Sequence, residues 1–432
     1  MRILVVGINY APDLIGVAKY NAELCEGLAA FGHEVRVVTA PPYYPEWLVP
    51  EGYQGWSYHR ESLNGVSITR VPIYVPRKPT GAKRLLHHSS FALMSCWPVL
   101  VTSLRWRPDV IFSVAPSLMS AAFPAWIARR IGALSWLHLQ DFEVDAAFDL
   151  GLLANKRLRA PMVALERMIL QSFDSVSTIS PQMVNRLLTK HVAREKAREF
   201  RNWVDTSEIA PGSANPRFRK ECLHVDESHF VCLYSGTMSN KQGLDLIVEA
   251  ARSLDRTDSR LRFVLCGDGP HKGSLQGLAV GLSNVQFLKL QAGQSFVELL
   301  KAADVHLIPQ KAEAADLVLP SKLAGILASG KPVIVMAKSD TGLALEVEKA
   351  GIVIPPGDVR ALVDAVCSLA NDPRLCSSLG RAARTAAVSQ WDKTAILDGL
   401  QQMLKLSVKA RLSCATAEAN SDFARHRITG PN

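Results

Sequence analysis

The sequence predicts an α/β protein made of two doubly wound parallel-sheet domains in series, and three observations support this. The chain has 432 residues, about two or three times the usual length of one domain. Apolar residues make up 48% and charged residues 21%, which is typical of a soluble globular protein. Short, continuous apolar runs alternate with helical patterns, as in parallel sheets that helices cover on both faces.

The first half shows this alternation six times. The predicted strands are Ile3–Val6, Val35–Thr39, Val66–Val71, Val110–Val114, Leu134–Leu139 and Val176–Ile179. The first helix is predicted to bury one face, because apolar residues recur every three or four positions at Val17, Tyr20, Leu24, Leu28 and Phe31. Gly32 follows, as expected for a left-handed residue at a helix end.

The second half repeats the pattern after a linker. Residues 205–216 are rich in Pro, Gly and Ser, which predicts a connection between domains. The strands predicted beyond it are Phe230–Tyr234, Leu261–Cys266, Val285–Leu288, Val305–Ile308, Val333–Met336 and Ile352–Ile354. We expect domains over 1–205 and 217–385, a helix over 386–408 that packs back on the first domain, and a disordered tail over 409–432.

Charge and composition narrow the classes of partner. The chain carries 49 basic and 40 acidic residues, a net charge of +9, which suits phosphates, nucleic acid or an acidic membrane. No motif supports nucleic-acid binding, and no metal-binding pattern of His or Cys is present. Eight scattered cysteines favour a reducing, cytoplasmic compartment. The apolar run 89–104 is shorter than the roughly 20 residues of a membrane-spanning helix.

Loops at the carboxyl ends of strands are where such folds bind ligands. Gly16 stands at the start of the first helix, where N–H groups and the helix dipole favour an anion. In the second half, Gly236, Lys241 and Gly267 follow two strands. Glycine permits close approach of a phosphate, and lysine supplies a charge. Each glycine could equally serve only a tight turn. The dinucleotide fingerprint is absent, which disfavours a nicotinamide or flavin site.

Two further segments carry polar groups at predicted strand ends. Pro320 suits the first position of a helix, so the N–H groups near it would face a ligand, with these neighbours: Val318, Leu319, Ser321 and Lys322. The alternative is a helix start with a solvated lysine. His138 closes a strand, and Asp141 and Glu143 follow, which could orient a sugar hydroxyl or accept a proton. The alternative for His138 is a packed, hydrogen-bonded core residue.

These motifs together resemble the GT-B glycosyltransferases of family 4, and are most similar to the WcaI-type exopolysaccharide (colanic acid) transferases. The motifs that carry the resemblance, in order, are 9–16, 32–35, 137–145, 179–183, 202–205, 235–236, 267–269 and 318–334. The resemblance covers about residues 1 to 405 and implies two Rossmann-like domains that face a shared cleft.

The resemblance also implies a reaction. The donor would be a GDP- or UDP-sugar, with GDP-fucose favoured, the acceptor a lipid-linked glycan, and transfer would proceed with retention and without a bound cofactor or metal. Groups at Gly16, Gly236, Lys241, Ser321 and Lys322 would stabilise the leaving diphosphate, and His138 would lie near the transferred sugar. Many relatives carry a ribose-binding glutamate five residues before Gly330, where this chain has Gly325.

Three alternatives for function and location stay open. A nucleotide-sugar epimerase would have the same fold, and a catalytically silent scaffold subunit would explain the missing glutamate. Residues 77–107 combine basic and aromatic side chains, which is typical of a segment that lies in a membrane interface, although two packed helices would look similar. We expect a cytoplasmic protein bound peripherally to the anionic inner face of the plasma membrane.

Overall fold

The computed structural model describes residues 1–13, 16–149, 159–240, 242–311 and 319–428. It divides into two compact units. The first comprises Met1–Arg201 with Thr394–Asn432, and the second comprises Asn202–Lys393. Each unit is an α/β structure with its own sheet, so the predicted fold class is confirmed.

The first unit contains an eight-stranded sheet in the order β3-β4-β2-β1-β5-β6-β7-β8. The strands are β1 (Arg2–Gly7), β2 (Glu34–Thr39), β3 (His59–Leu63), β4 (Val66–Arg70), β5 (Val110–Ala115), β6 (Leu134–Leu139), β7 (Ser175–Thr178) and β8 (Ala197–Glu199). All neighbours are parallel except β3 and β4. The six predicted strands are confirmed. The missed strands, β3 and β8, lie at the sheet edges, where a strand needs no continuous apolar run.

The helices of the first unit cover this sheet. They are α1 (Val17–Ala30), α2 (Gly81–Trp106), α3 (Ala122–Ile131), α4 (Glu143–Asp149), α5 (Arg159–Gln171) and α6 (Pro181–Thr189), with a short 3₁₀ helix over Leu118–Ala121. Helix α1 buries Tyr20, Leu24 and Leu28 as predicted, whereas Phe31 lies beyond the helix and is partly exposed. Gly32 has a φ of 81°, which confirms its left-handed conformation.

The second unit contains a six-stranded, fully parallel sheet in the order β11-β10-β9-β12-β13-β14. The strands are β9 (Phe230–Ser235), β10 (Leu261–Cys266), β11 (Val285–Leu288), β12 (Val305–Pro309), β13 (Val333–Met336) and β14 (Gly351–Ile354). All six were predicted. This is the strand order of doubly wound nucleotide-binding sheets. Its helices are α7 (Pro216–Cys222), α8 (Asp245–Leu254), α9 (Lys272–Leu278), α10 (Gly293–Ala302), α11 (Lys322–Ala328), α12 (Gly342–Val347), α13 (Val359–Asn371) and α14 (Pro373–Gln390).

The carboxyl-terminal helix α15 spans Lys393–Ile428 and, from Thr394 onward, belongs to the first unit. Gln401 Oε1 lies 3.1 Å from His33 Nε2, and Leu397 packs directly against Gly27 of α1. The sequence predicted one helix over 386–408 and a disordered tail from 409. In the structure α14 ends at Gln390 and α15 spans Lys393–Ile428.

Within the described ranges, no helix is both long enough and apolar enough to cross a bilayer. The run 89–104 forms part of α2, which also contains Pro98.

Candidate functional site

Two glycine loops lie side by side at the carboxyl ends of β9 and β10. The Gly236 N–H donates to the carbonyl of Cys266 at 2.9 Å, and the Met238 N–H donates to that of Asp268 at 2.8 Å. A Cβ on Gly267 would lie 1.9 Å from the Gly236 oxygen. Gly267 also has a φ of 150°. Position 267 therefore requires glycine because two backbone segments touch there. The sequence alone could not distinguish this requirement from a role for the glycine in phosphate binding.

Lys322 lies beside this pair of loops. Its Nζ is 3.9 Å from the centroid of the Tyr234 ring, and a Cβ on Gly236 would lie 3.4 Å from that Nζ. Burial lowers the pKa of Lys322 to about 7, because removing an ammonium from water disfavours its charged form. The structure thus brings together two predicted residues, Gly236 and Lys322, and adds Tyr234, which the sequence analysis missed.

The other residues of the second unit that were predicted to bind the donor do not all lie beside Lys322. Ser321 is exposed directly before α11, and Leu319 packs against the apolar core of the second unit. Lys241 and Val318 lie outside the described residues.

Gly325 lies on the core side of α11. A Cβ there would sit 3.7 Å from Ile209 and 3.8 Å from Leu300, both apolar side chains. The position therefore faces apolar packing, and a glutamate placed there would begin its side chain among hydrocarbon groups. Two other acids near it in sequence, Glu313 and Asp316, fall outside the part of the chain that is described.

His138 is enclosed in the first unit rather than exposed at its edge. The imidazole is 2% exposed, with Nδ1 3.0 Å from Ser177 Oγ and Nε2 2.9 Å from Gln140 Nε2. The Phe200 ring packs edge-on at 4.9 Å. Burial lowers the pKa of His138 to about 3, so the ring is neutral. This placement fits the alternative of a packed, hydrogen-bonded core histidine. The role of His138 near a transferred sugar stays a prediction.

Asp141 and Glu143 follow β6 and carry perturbed carboxyl groups. Burial raises the pKa of Asp141 to about 6 and that of Glu143 to about 7. The Glu143 carboxylate accepts a hydrogen bond from the Leu118 N–H at 2.9 Å, so Glu143 ties the loop after β5 to the loop after β6. Asp141 is partly buried and is the better candidate to contact a ligand.

Asp13 and Tyr43, which were not predicted as site residues, also lie in loops that follow strands of the first sheet, β1 and β2. The Asp13 carboxylate is 3.4 Å from the N–H groups of Tyr43 and Tyr44. Burial, with weaker contributions from the nearby charges of Asp13 and Glu143, raises the pKa of Tyr43. Both residues follow predicted strands, and that position in the sequence could have identified them as candidate site residues.

Gly16 stands at the start of α1 with a φ of 62°. A Cβ there would meet no atom within 4 Å. Its conformation rather than crowding therefore explains the glycine.

Comparison with known proteins shows the family to which the chain belongs. Residues 16–203 match the family described as glycosyl transferase 4-like domain, and residues 229–372 match glycosyl transferases group 1. The chain is 43% identical over 375 residues to WcaI of Escherichia coli (strain K12), named as a colanic acid biosynthesis glycosyl transferase, covering 85% of this chain and 91% of that protein. The chain belongs to the WcaI-type glycosyltransferases.

Solved structures agree on the fold. Sucrose-phosphate synthase from Thermosynechococcus elongatus superposes with a TM-score of 0.69 at 18% identity, covering 95% of this chain and all of the other. Anabaena HepE, solved in complex with UDP-glucose, gives a TM-score of 0.65 at 15% identity, covering 94% and 99%. The fold of this WcaI-type glycosyltransferase is therefore GT-B, as the resemblance implied.

The chemistry available in this WcaI-type glycosyltransferase differs between the units. The second unit offers a partly desolvated amine beside glycine loops, which suits an anion. The first unit offers carboxylates with raised pKa values, which suit a hydroxyl group. Among the described side chains, no cluster of three His, Cys, Asp or Glu could hold a metal ion.

Proposed function

We propose that this chain transfers a sugar from a nucleoside-diphosphate donor to a lipid-linked glycan in exopolysaccharide biosynthesis, with retention of configuration. The observation that carries this proposal is the position of the Lys322 amine, 3.9 Å from the centroid of the Tyr234 ring and next to Gly236. Because burial disfavours its positive charge, an anion next to it would restore that charge. A diphosphate fits, since it is doubly anionic and leaves when the sugar is transferred.

Stabilisation of the leaving group is the role proposed for Lys322. As the bond between the sugar and the diphosphate breaks, negative charge develops on the phosphate oxygen, and a positioned ammonium lowers the energy of that state. The Gly236 N–H already donates to Cys266. Gly236 therefore contributes room beside the amine, where a side chain would crowd Lys322, rather than an N–H group.

The acceptor hydroxyl is assigned to the first unit. Asp141 is partly buried, and its pKa is raised to about 6. A carboxylate with that pKa is mostly ionised at neutral pH and can orient a hydroxyl or draw its proton. Support for a nucleotide-sugar donor comes from HepE, whose structures contain UDP or UDP-glucose. The subgroup resemblance favours GDP-fucose.

Contact with an anionic membrane is proposed for the exposed face of α2. Leu86, Leu93, Trp97 and Leu104 are each more than half exposed, and their spacing places them on one side of the helix. No acidic residue occurs in α2, and basic residues flank both its ends. An apolar stripe with aromatic and basic neighbours is typical of interfacial helices.

A donor screen tests the proposal. Purified protein is incubated with GDP-fucose, other GDP-sugars and UDP-sugars, with and without a lipid-linked acceptor, and nucleotide release and product anomeric configuration are measured. We expect acceptor-dependent release and a retained configuration. An epimerised donor without acceptor would instead support the epimerase. Failure of both GDP and UDP to bind would leave the scaffold.

A further inference from the structure

Arg70 ends strand β4 with its guanidinium inside the first unit. The residue is 2% exposed, and an arginine is rarely buried to this extent unless its charge and its N–H groups have partners. Its Nη1 donates to the Ala40 carbonyl at 2.9 Å, and its Nη2 donates to the Ala11 carbonyl at 2.6 Å. Ala11 lies in the loop after β1, and Ala40 lies in the loop after β2. One planar group therefore binds the backbone of two loops at once.

Glu61 of the edge strand β3 is the third partner of this guanidinium. Its carboxylate accepts a hydrogen bond from Arg70 Nε at 2.7 Å and lies 2.6 Å from Nη2. The Tyr53 ring lies 4.9 Å from Arg70 Cζ. Bonds to one carboxylate and two carbonyls use the fixed, planar fork of an arginine, which a lysine ammonium lacks. The guanidinium therefore sets the distance and the direction between the two loops.

The two loops also bind each other, but through longer contacts. Asn9 Nδ2 donates to the Tyr43 hydroxyl at 3.1 Å. In the opposite direction, the N–H groups of Tyr43 and Tyr44 lie 3.4 Å from the Asp13 carboxylate. Contacts of 3.4 Å are at the weak end of N–H hydrogen bonding, so they hold Asp13 only loosely. The short bonds that fix the two loops are those of the buried Arg70.

Asp13 is the group on these loops that suits a substrate. Its side chain is half-buried, and its long contacts with Tyr43 and Tyr44 leave the carboxylate able to accept a further hydrogen bond. Both loops follow the carboxyl ends of strands, where doubly wound folds bind ligands. Groups that contact a substrate must be held within about 0.5 Å of their productive position by the residues behind them. Arg70 lies where such support for Asp13 is needed.

We infer that Arg70 is a positioning residue for the transfer reaction. It holds the loops after β1 and β2 so that the Asp13 carboxylate accepts a hydrogen bond from a hydroxyl group of the glycan acceptor. Arg70 itself touches no substrate, because its guanidinium is buried against the loops and Glu61. This role rests on the proposed function, since it assigns two residues to that reaction.

Steady-state transfer to a lipid-linked acceptor tests this role, with the nucleotide-sugar that gives most release in the donor screen. Arg70→Lys should lower kcat/KM for the acceptor about tenfold or more, while GDP and UDP affinities stay at the parent values. Arg219→Lys is the matched control. Arg219 is 7% exposed and donates to the Ala302 and His229 carbonyls, at the amino end of the second sheet. This control should lose stability to urea and keep the kcat/KM of the parent.

A double-variant cycle separates positioning from general destabilisation. Asp13→Ala alone should lower kcat/KM for the acceptor. Arg70→Lys added to it should lower that value no further, because both changes remove the same contact. Additive losses, a parent-like Arg70→Lys, or an equal loss in Arg219→Lys would overturn the role. Glu61→Gln, whose side chain is 25% exposed, takes the place of Arg70→Lys in the cycle if that variant does not fold.

Hydrogen exchange tests the same loops without turnover. The amides of Tyr43 and Tyr44 should exchange at least about tenfold faster in Arg70→Lys than in the parent, and at the parent rate in Arg219→Lys. Equal rates in all three proteins would refute positioning by Arg70, whether or not the parent transfers sugar. Exchange that depends on Arg70, in a parent that releases nucleotide from no donor, would refute only the proposed function.

Discussion

The amine of Lys322 lies 3.9 Å from the centre of the Tyr234 ring. The two residues come from α11 and β9, and their contact places a cation at the end of a sheet strand. The aromatic face attracts the ammonium, yet burial dominates and holds the pKa of Lys322 at about 7. Roughly half of the amine is thus charged at neutral pH. A ligand that needs the charge must draw a proton from solvent above that pH.

The first prediction concerns the pH dependence of nucleotide binding. Below pH 7 Lys322 is already protonated, so binding requires no proton. Above pH 7 a proton must be taken up, so affinity for GDP or UDP should fall by up to about tenfold per pH unit between pH 7 and 9. Calorimetry in buffers of different ionisation enthalpy measures both the affinity and the proton uptake.

Two substitutions sharpen this prediction. Lys322→Arg should flatten the pH profile, since a guanidinium stays protonated, and an unchanged slope would remove Lys322 from the site. Lys322→Ala should weaken nucleotide binding by about 1–3 kcal/mol, the value of a hydrogen bond to a charged group. Lys338→Ala is the control, because it removes one positive charge at an exposed position, and its nucleotide binding should match that of the parent.

Gly267 provides a test of the contact between the loops. Gly267→Ala should destabilise the protein by about 1–3 kcal/mol, because its Cβ would collide with the Gly236 carbonyl. Gly277→Ala in α9 is the control, since a Cβ there meets no atom within 4 Å, and it should be neutral or stabilising by up to about 1 kcal/mol. Urea unfolding measures both. Equal effects at the two positions would contradict the contact.

Removal of the His138 ring should affect stability rather than nucleotide binding. His138→Ala deletes a buried ring and its bonds to Ser177 and Gln140, which should cost about 1–3 kcal/mol. GDP and UDP affinities should stay at the parent values. If the free energy of unfolding were unchanged and turnover were lost, the result would support the predicted role of His138 near the transferred sugar. Exposed His59→Ala serves as the comparison.

Asp141 should make both stability and turnover depend on pH. Its folded pKa of about 6 lies above the unfolded value, so its contribution to stability is greatest at low pH and declines as pH rises from about 4 to 6. The stability of Asp141→Asn relative to the parent should therefore be greater at pH 7.5 than at pH 4.5, because only the parent carries a buried charge at the higher pH. Turnover of the parent should rise through about pH 6, and the variant should have little. Matching stability differences at both pH values would refute this assignment.

The membrane surface of α2 should respond to loss of its central indole. Trp97→Ala removes an exposed aromatic side chain from the stripe and should reduce partition onto phosphatidylglycerol vesicles several-fold, as sedimentation would show. Added salt should weaken binding further, because basic residues flank the stripe. Leu278→Ala, which removes an exposed apolar residue of the second unit, is the control. Binding that ignores both salt and Trp97 would count against this surface.

The sequence by itself determined the sheet strands that form the core. Val333–Met336 is a continuous apolar run because both faces of its strand are buried, and such a run can be recognised in the local sequence. Edge strand β3 was missed because its residues are mostly exposed and carry no such pattern. The same local order placed Gly236 directly after a strand and Lys322 in the first turn of a helix.

Tertiary structure alone decided what those residues do. The enclosure of His138 depends on Ser177 and Phe200, and the need for glycine at Gly267 depends on the Gly236 carbonyl of another loop. The pKa of Lys322 depends on burial beside Tyr234. Periodicity records which face of an element is buried. Desolvation and close contact arise between segments remote in the chain, and no local pattern encodes those distances.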